Sequence, residues 1–270
     1  GDADKVNYTT ATGKTRFTKL AAGEGEVLSR NTTWTFSRDV DLSQTFVGVS
    51  YYDGQGFMAP KALGVKTAKE LDGASVCIQT GTTTELNLAE FFSQNKIKYE
   101  AVPIETNAEA QELYKAGRCD VYTTDASGLY STRASMPVPS DHLVFAEIIS
   151  KEPLGPVVRH GDDQWADIVG WTLRAMMAGE ELGITSANVK SLAGKDNKNK
   201  EINRLLGKDP LQGLSKLGLS ADWAVQVIGQ VGNYEEVFEK NLGMSTPLKI
   251  ARGANSLYRD GGLFYIPPIK

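Results

Sequence analysis

The stretch SVCIQTGTTTELNLAEFFSQNKIKYEAVPIETNAEAQELYKAGRCDVYTTD, residues 75–125, decides the fold. Short β-branched runs alternate in it with helical segments, the pattern of a parallel sheet with crossover helices. Residues 75–80 read as a strand. Thr82-Thr83-Thr84-Glu85 then forms a Thr-x-x-Glu capping box, which starts a helix carrying Leu86, Leu88, Ala89, Phe91 and Phe92 and stopping near Asn95. A second strand, 99–104, leads into another box, Thr106-Asn107-Ala108-Glu109, and into a helix closed by Gly117, where glycine suits the left-handed cap. The third strand is 119–124. Parallel strands joined by right-handed crossovers present all their carboxyl ends at one edge, where ligands of such sheets bind. Residues 79–84 therefore converge with Thr124 and Asp125.

Outward from this stretch, residues 143–148 read as a further strand of the same sheet, and Lys151-Glu152-Pro153-Leu154-Gly155-Pro156 as a turn-rich crossover out of it. Between 162 and 182, Trp165, Ile168, Val169, Trp171, Leu173, Met176 and Met177 recur at helical spacing as core filling, with Gly183 as the stop. Helices follow near 221–230 and 234–241. The latter opens with Asn233-x-x-Glu236 and has Gly243 just past its end. The aromatic and Pro-rich tail, 258–270, wraps a surface.

The 270 residues suffice for two lobes of about 100 to 150 residues each. No apolar run reaches the roughly 20 residues that span a bilayer, and no signal-peptide pattern opens the sequence. The net charge of -4 argues against a nucleic-acid surface. The densest basic stretch, 195–200, is broken by Asp196, Asn197 and Asn199 and reads as a solvated loop. Cys77 and Cys119 lack metal-type spacing; one bridge or two inert thiols both remain open. No cofactor motif, metal cluster, phosphate loop or Ser-His-Asp pattern is present, and neither His142 nor His160 falls on the expected cleft edge.

A free amino acid needs an anion site for its carboxylate and acceptors for its ammonium group, because a buried unpaired charge is very costly. The start of the Thr83 helix offers unsatisfied amides and a positive dipole end to a carboxylate. Asp125 can accept from an ammonium group or can simply cap the helix that begins at Ala126. In the polar, aromatic cluster 29–38, Arg38 could grip a carboxylate with two parallel hydrogen bonds or stand in a surface salt bridge.

The runs LSRNTTWTFSRD (28–39), YYDGQGFM (51–58), QTGTTTELNLAEFF (79–92), GRCDVYTTDASGL (117–129), GNYEEVFEKNLG (232–243) and DGGLFYIPPIK (260–270) make the chain resemble the polar amino-acid ABC-transporter substrate-binding proteins, in particular the general L-amino-acid-binding branch, over essentially its whole length. The resemblance implies the type II periplasmic-binding-protein fold. That is two α/β lobes with parallel-type sheets, helices on both faces and two crossover strands, with lobe one formed by 1–57 plus 155–270 and lobe two by 58–154. It implies a ligand trapped between the lobes and delivered to ABC permease subunits, no catalysis, no cofactor, a monomer with a swapped dimer as the alternative, and a periplasmic location with the export signal removed. Carried over, Arg38 holds the ligand carboxylate with backbone help from Thr33 and Thr83. Asp125 takes the ammonium group with the Asn31 carbonyl and the Thr33 hydroxyl, and Gln79, Thr82 and Thr124 line the lobe-two side. The family's first strand and helix of lobe one have no counterpart before Gly1-Asp2-Ala3-Asp4, which is expected to leave lobe one incomplete, swapped or rearranged. Export makes a Cys77–Cys119 bridge conceivable. Three rival expectations accompany this one: a dehydratase-type cleft enzyme, a sensor domain, and a vestigial protein that no longer binds.

Overall fold

The computed structural model describes residues 3–270; Gly1 and Asp2, part of the expectation about the amino-terminal elements, lie outside them. The strands are β1 (Gln44–Phe46), β2 (Tyr51–Asp53), β3 (Gln55–Pro60), β4 (Ala74–Gln79), β5 (Tyr99–Ile104), β6 (Val121–Asp125), β7 (His142–Val144), β8 (Glu152–Leu154) and β9 (Val157–Arg159). The α-helices are α1 (Arg16–Ala21), α2 (Phe36–Asp41), α3 (Thr83–Asn95), α4 (Asn107–Lys115), α5 (Ala126–Ala134), α6 (Asp163–Glu181), α7 (Val189–Ala193), α8 (Lys200–Leu205), α9 (Trp223–Val231) and α10 (Tyr234–Asn241). They fall into two compact units. One holds the described residues up to Asn7 with Ser43–Ser50 and Pro156–Lys270, the other Tyr8–Leu42 and Tyr51–Gly155.

In the second unit a five-stranded sheet runs in the order β5-β4-β6-β3-β7. β4 is parallel to both β5 and β6, as the capping-box pattern requires. β3, however, inserts beside β6 and runs antiparallel to it and to β7, so the sheet is mixed. The expected strand 143–148 is regular only over His142–Val144; beyond it the amides of Phe145 and Ile149 still bond to Phe57 and Gln55 of β3, at 2.9 and 3.0 Å.

Side chains alternate across a strand, and both faces of this sheet are covered. Phe57, Val76, Ile78 and Val121 meet Leu88 and Phe92 of α3 and Phe145 on one face. Their immediate neighbours Met58, Cys77 and Tyr122 meet Ala110 and Tyr114 of α4, Leu129 of α5 and Met136 on the other. Burying Phe92, stacked on Phe57 at 6.0 Å and edge-on to Tyr99 at 4.9 Å, contributes about 3 kcal/mol. Cys77 and Cys119 are joined in a disulfide with Cα atoms 5.5 Å apart, which resolves the two open readings in favour of the bridge.

The segment 8–42 packs with this unit. Backbone pairing explains it. Thr33 bridges Leu154 of β8, the Trp34 amide donates to Pro153 at 2.8 Å, and the Gly155 amide donates to Thr32 at 3.1 Å. Gly81, at φ +70, lets the segment come close: a Cβ there would stand 3.0 Å from the Lys14 backbone.

The first unit contains the antiparallel pair β1–β9 and a helical core. α6 is capped by Asp162 through the Trp165 amide, close to the expected boundaries, but its most buried positions are the small Gly170, Ala175, Ala178 and Gly179 beside Met177, with Trp171 only half-buried. Gly179 admits Ile228 of α9, whose Cδ1 would lie 2.9 Å from a Cβ. α10 carries the predicted capping box, with the Asn233 side chain accepting from Glu236 and returning nothing to solvent, since its Nδ2 donates to Ile184. The loop 195–199 is not wholly solvated as read: Asn197 is buried and bonded to Asn203 of α8. The tail is fastened rather than merely wrapped. Ile269 is in the core, its amide bonds to Glu201 and its carbonyl to Arg204.

Candidate functional site

The carboxyl edge of the five-stranded sheet carries the candidate site, within the second unit. β6 ends in Thr124 and Asp125, and the turn from β4 into α3 presents Gln79, Thr82, Thr83 and Thr84. Asn31 and Thr33 come from the segment before α2, and together these residues line one cleft. Arg16 and Arg30 complete its wall. Its free volume is about 10 Å³, room for about one water, so the side chains are nearly in contact across it.

Seven of the eight residues expected at the site are therefore brought together. Arg38 does not itself line the cleft but is joined to a residue that does. Its guanidinium donates to the Thr33 carbonyl at 2.9 Å and lies over the Phe17 ring, 5.1 Å from its centroid. The α3 start is built as read: the Thr82 hydroxyl accepts from the Glu85 amide, Glu85 accepts from the Gly81 amide at 3.0 Å, and Thr82 also donates to Gln79 at 2.7 Å. The first amides of α3, beginning with Thr83, have no partner inside the helix by construction. The Gln79 side chain donates to the Glu105 carbonyl at 2.7 Å.

Asp125 is 5% exposed and, although it sits at the cap position of α5, makes no capping hydrogen bond. Asp53 does that work, accepting from the Ser127 hydroxyl at 2.5 Å and from the Ser127 amide. Asp125 Oδ2 instead accepts from Asn31 Nδ2 at 2.9 Å. Burial, followed by the nearby Asp53 charge, pushes the Asp125 carboxyl up to about 7, against the opposing pull of Asn31 and Arg16. Burial likewise raises Asp53.

Two further residues escaped the sequence reading, and a third, Arg30, stood in the cluster 29–38 without a role of its own. Glu152, 2% exposed, accepts four hydrogen bonds: from the Thr33 and Thr83 hydroxyls at Oε2, and from Asn87 at 2.7 Å and Ser150 at 2.6 Å at Oε1. Arg16, 3% exposed, donates from Nη1 to the Asn31 carbonyl at 2.9 Å and lies 5.0 Å from the Phe17 ring centroid. Its burial, together with Arg38 and Arg30, pulls its guanidinium down to about 9. Arg30, half-buried, donates to the Ala11 carbonyl. Nothing local marks Arg16 or Glu152, because a lone Arg and a Glu before a Pro read as surface residues. His142 is away from the cleft, bonded through Nδ1 to the Tyr114 hydroxyl at 2.8 Å. Among the described residues no group of three or more His, Cys, Asp or Glu could hold a metal, and no helix is long and apolar enough to cross a membrane.

A buried acceptor opposed by a helix amino terminus and guanidinium groups is an arrangement for a zwitterion, and relatives of the chain have that kind of ligand. Across all 270 residues the chain is 56% identical to the glutamate/glutamine/aspartate/asparagine-binding protein BztA of Rhodobacter capsulatus, covering 79% of that protein. It is 55% identical to the general L-amino acid-binding periplasmic protein AapJ of Rhizobium johnstonii, again over the whole chain and 79% of the relative. The chain belongs to the amino-acid-binding proteins of ABC transporters. A periplasmic binding protein of Brucella ovis, solved with glutathione bound, superposes with a TM-score of 0.94 at 50% identity, over 98% of this chain and 83% of that one. No family model matches the chain. The expected type II periplasmic-binding-protein fold is thus the fold of the family, and its members named here are binding proteins rather than enzymes.

Proposed function

We propose that the cleft at the carboxyl edge of the sheet holds the ammonium and carboxylate groups of an amino acid or a small amino-acid-like peptide, which the protein delivers to ABC permease subunits from the periplasm. The observation that carries this reading is Asp125: a buried carboxylate released from capping α5 by Asp53, facing the amino terminus of α3. Asp125 takes the ammonium group, with the Asn31 carbonyl and the Thr33 hydroxyl as further acceptors. The Thr83 amide and the guanidinium cluster take the carboxylate, and Arg38, which already holds the Thr33 carbonyl, steadies that wall or reaches the ligand directly. Gln79, Thr82 and Thr124 complete the enclosure. With so little free volume in the cleft, a ligand enters only as its walls separate, and the state with both walls in contact is the one a permease would read. The names of the relatives support the ligand class and the compartment.

Native mass spectrometry of the purified chain, followed by calorimetric titration with amino acids, tests the proposal. The expected result is one ligand per chain and a loss of affinity by about 2 kcal/mol or more in Asp125→Asn. Binding that is indifferent to Asp125→Asn would place the ligand elsewhere.

A further inference from the structure

We infer that the first unit carries a ligand site of its own, for a small quaternary ammonium compound, between the end of α6 and the tail. A cavity of about 200 Å³ lies there, and its walls bring together Glu181 at the end of α6, Glu201 of α8, the rings of Tyr258 and Tyr265, and Pro267 with Pro268. The site is distinct from the cleft, which lies in the other unit, and it stands whether or not the proposed function does.

The lining calls for a cation. Its two charged side chains are both acidic. That of Glu181 has no hydrogen bond or ion pair among the described residues, and Glu201 commits one oxygen, Oε1, to the Ile269 amide at 3.0 Å. Two arginines stand nearby without lining the cavity or pairing with its acids. Arg259 gives Nη1 to the Glu181 carbonyl at 2.8 Å and sets Nε 3.6 Å from Asp260, and Arg204 gives Nε to the Ile269 carbonyl at 2.7 Å. Because α6 ends at Glu181, the negative pole of its dipole adds to the same field.

The aromatic pair narrows the class. Tyr258 and Tyr265 are 48% and 74% exposed and stand edge to face, with centroids 4.7 Å apart and no cation over either ring among the described residues. A ring face attracts a weakly hydrated cation. A primary ammonium group brings three N–H donors, for which ring faces and prolines offer no acceptor. A trimethylammonium head carries its charge in an apolar shell and needs none. The frame is in place before any ligand arrives: the Tyr258 amide donates to the Phe264 carbonyl at 2.8 Å, and Arg259 and Ile269 tie the tail to α6 and α8.

Calorimetric titration with choline, set against its uncharged carbon isostere 3,3-dimethylbutan-1-ol, tests the site. Choline should bind once per chain and about tenfold more tightly than the alcohol. Tyr265→Leu, at an exposed position, should weaken choline by roughly fivefold, and Tyr265→Phe, which keeps the ring, should restore it. Glu181→Gln should weaken choline alone, and Asp125→Asn should leave it unchanged. Absence of choline binding, equal affinity for the two compounds, or full affinity in Tyr265→Leu would overturn the inference. Loss of choline binding in Asp125→Asn would overturn it too, by placing the cation in the cleft.

Discussion

Affinity for an amino acid should rise with pH through the neutral range. In the free protein burial and the Asp53 charge hold the Asp125 carboxyl at about 7, but only the carboxylate form can receive an ammonium group. Below that value each pH unit removes tenfold of the competent form, so the dissociation constant at about pH 5 should be roughly 100-fold weaker than at pH 8, close to 3 kcal/mol. At neutral pH, binding should expel about half a proton, because the incoming ammonium group restores the charged form. Titration of L-glutamate in two buffers of different ionisation enthalpy measures both quantities, and the charges of this ligand change little between about pH 5 and pH 8. Stability should move the opposite way. Between the ordinary value of 3.8 and about 7 the folded chain keeps a proton that the unfolded chain has lost, so folding weakens by on the order of 4 kcal/mol as the pH rises through that window. Asp125→Asn should remove this part of the stability profile and lower the affinity by about 2 kcal/mol or more. A dissociation constant that is constant from pH 5 to 8, with no proton released, would refute the assignment of the ammonium site.

Glu152→Gln replaces an acceptor of four bonds by a group that must donate into Thr33, Thr83, Asn87 or Ser150, and should lower both ligand affinity and thermal stability, the latter by about 2 kcal/mol in calorimetric unfolding. Arg252→Ala strips Glu180 of its partner at 2.8 Å and removes the cation from the Tyr234 and Phe238 rings. It should cost about 3 kcal/mol in denaturant unfolding with the ligand dissociation constant unchanged. Cys77→Ser with Cys119→Ser releases a link across a separation of 42 residues and should cost about 4 kcal/mol, while intact mass should rise by about two daltons when the native chain is reduced.

The parts of the fold legible in the sequence are those that local rules fix. Residues 75–125 combine short β-branched runs with Thr-x-x-Glu boxes, and β4, α3, β5, α4 and β6 fall where those signals put them. β3 was not legible. Its sequence, QGFMAP, has no alternation and ends in proline, and its antiparallel place in the sheet is decided by pairing with β6, some 65 residues away. The site divides in the same way. Thr82, Thr83, Thr124 and Asp125 follow from the geometry of a sheet edge. Arg16 and Glu152 acquire their roles only through contacts with Asn31, Thr33 and Thr83, far along the chain, and Arg38, chosen for its chemistry, is tied to the site through the Thr33 carbonyl.

A threonine hydroxyl has one proton to give. At Thr33 and Thr83 that proton points to Glu152, so towards the cleft both oxygens turn only lone pairs. Glu152 thereby fixes the sense of two otherwise ambiguous groups: a wall that could have welcomed either sign of charge is set to receive donors. Orientation of this kind survives Thr→Ser and vanishes in Thr→Val. In the proposed site, a residue outside the cleft lining would thereby set which end of a ligand faces the threonines.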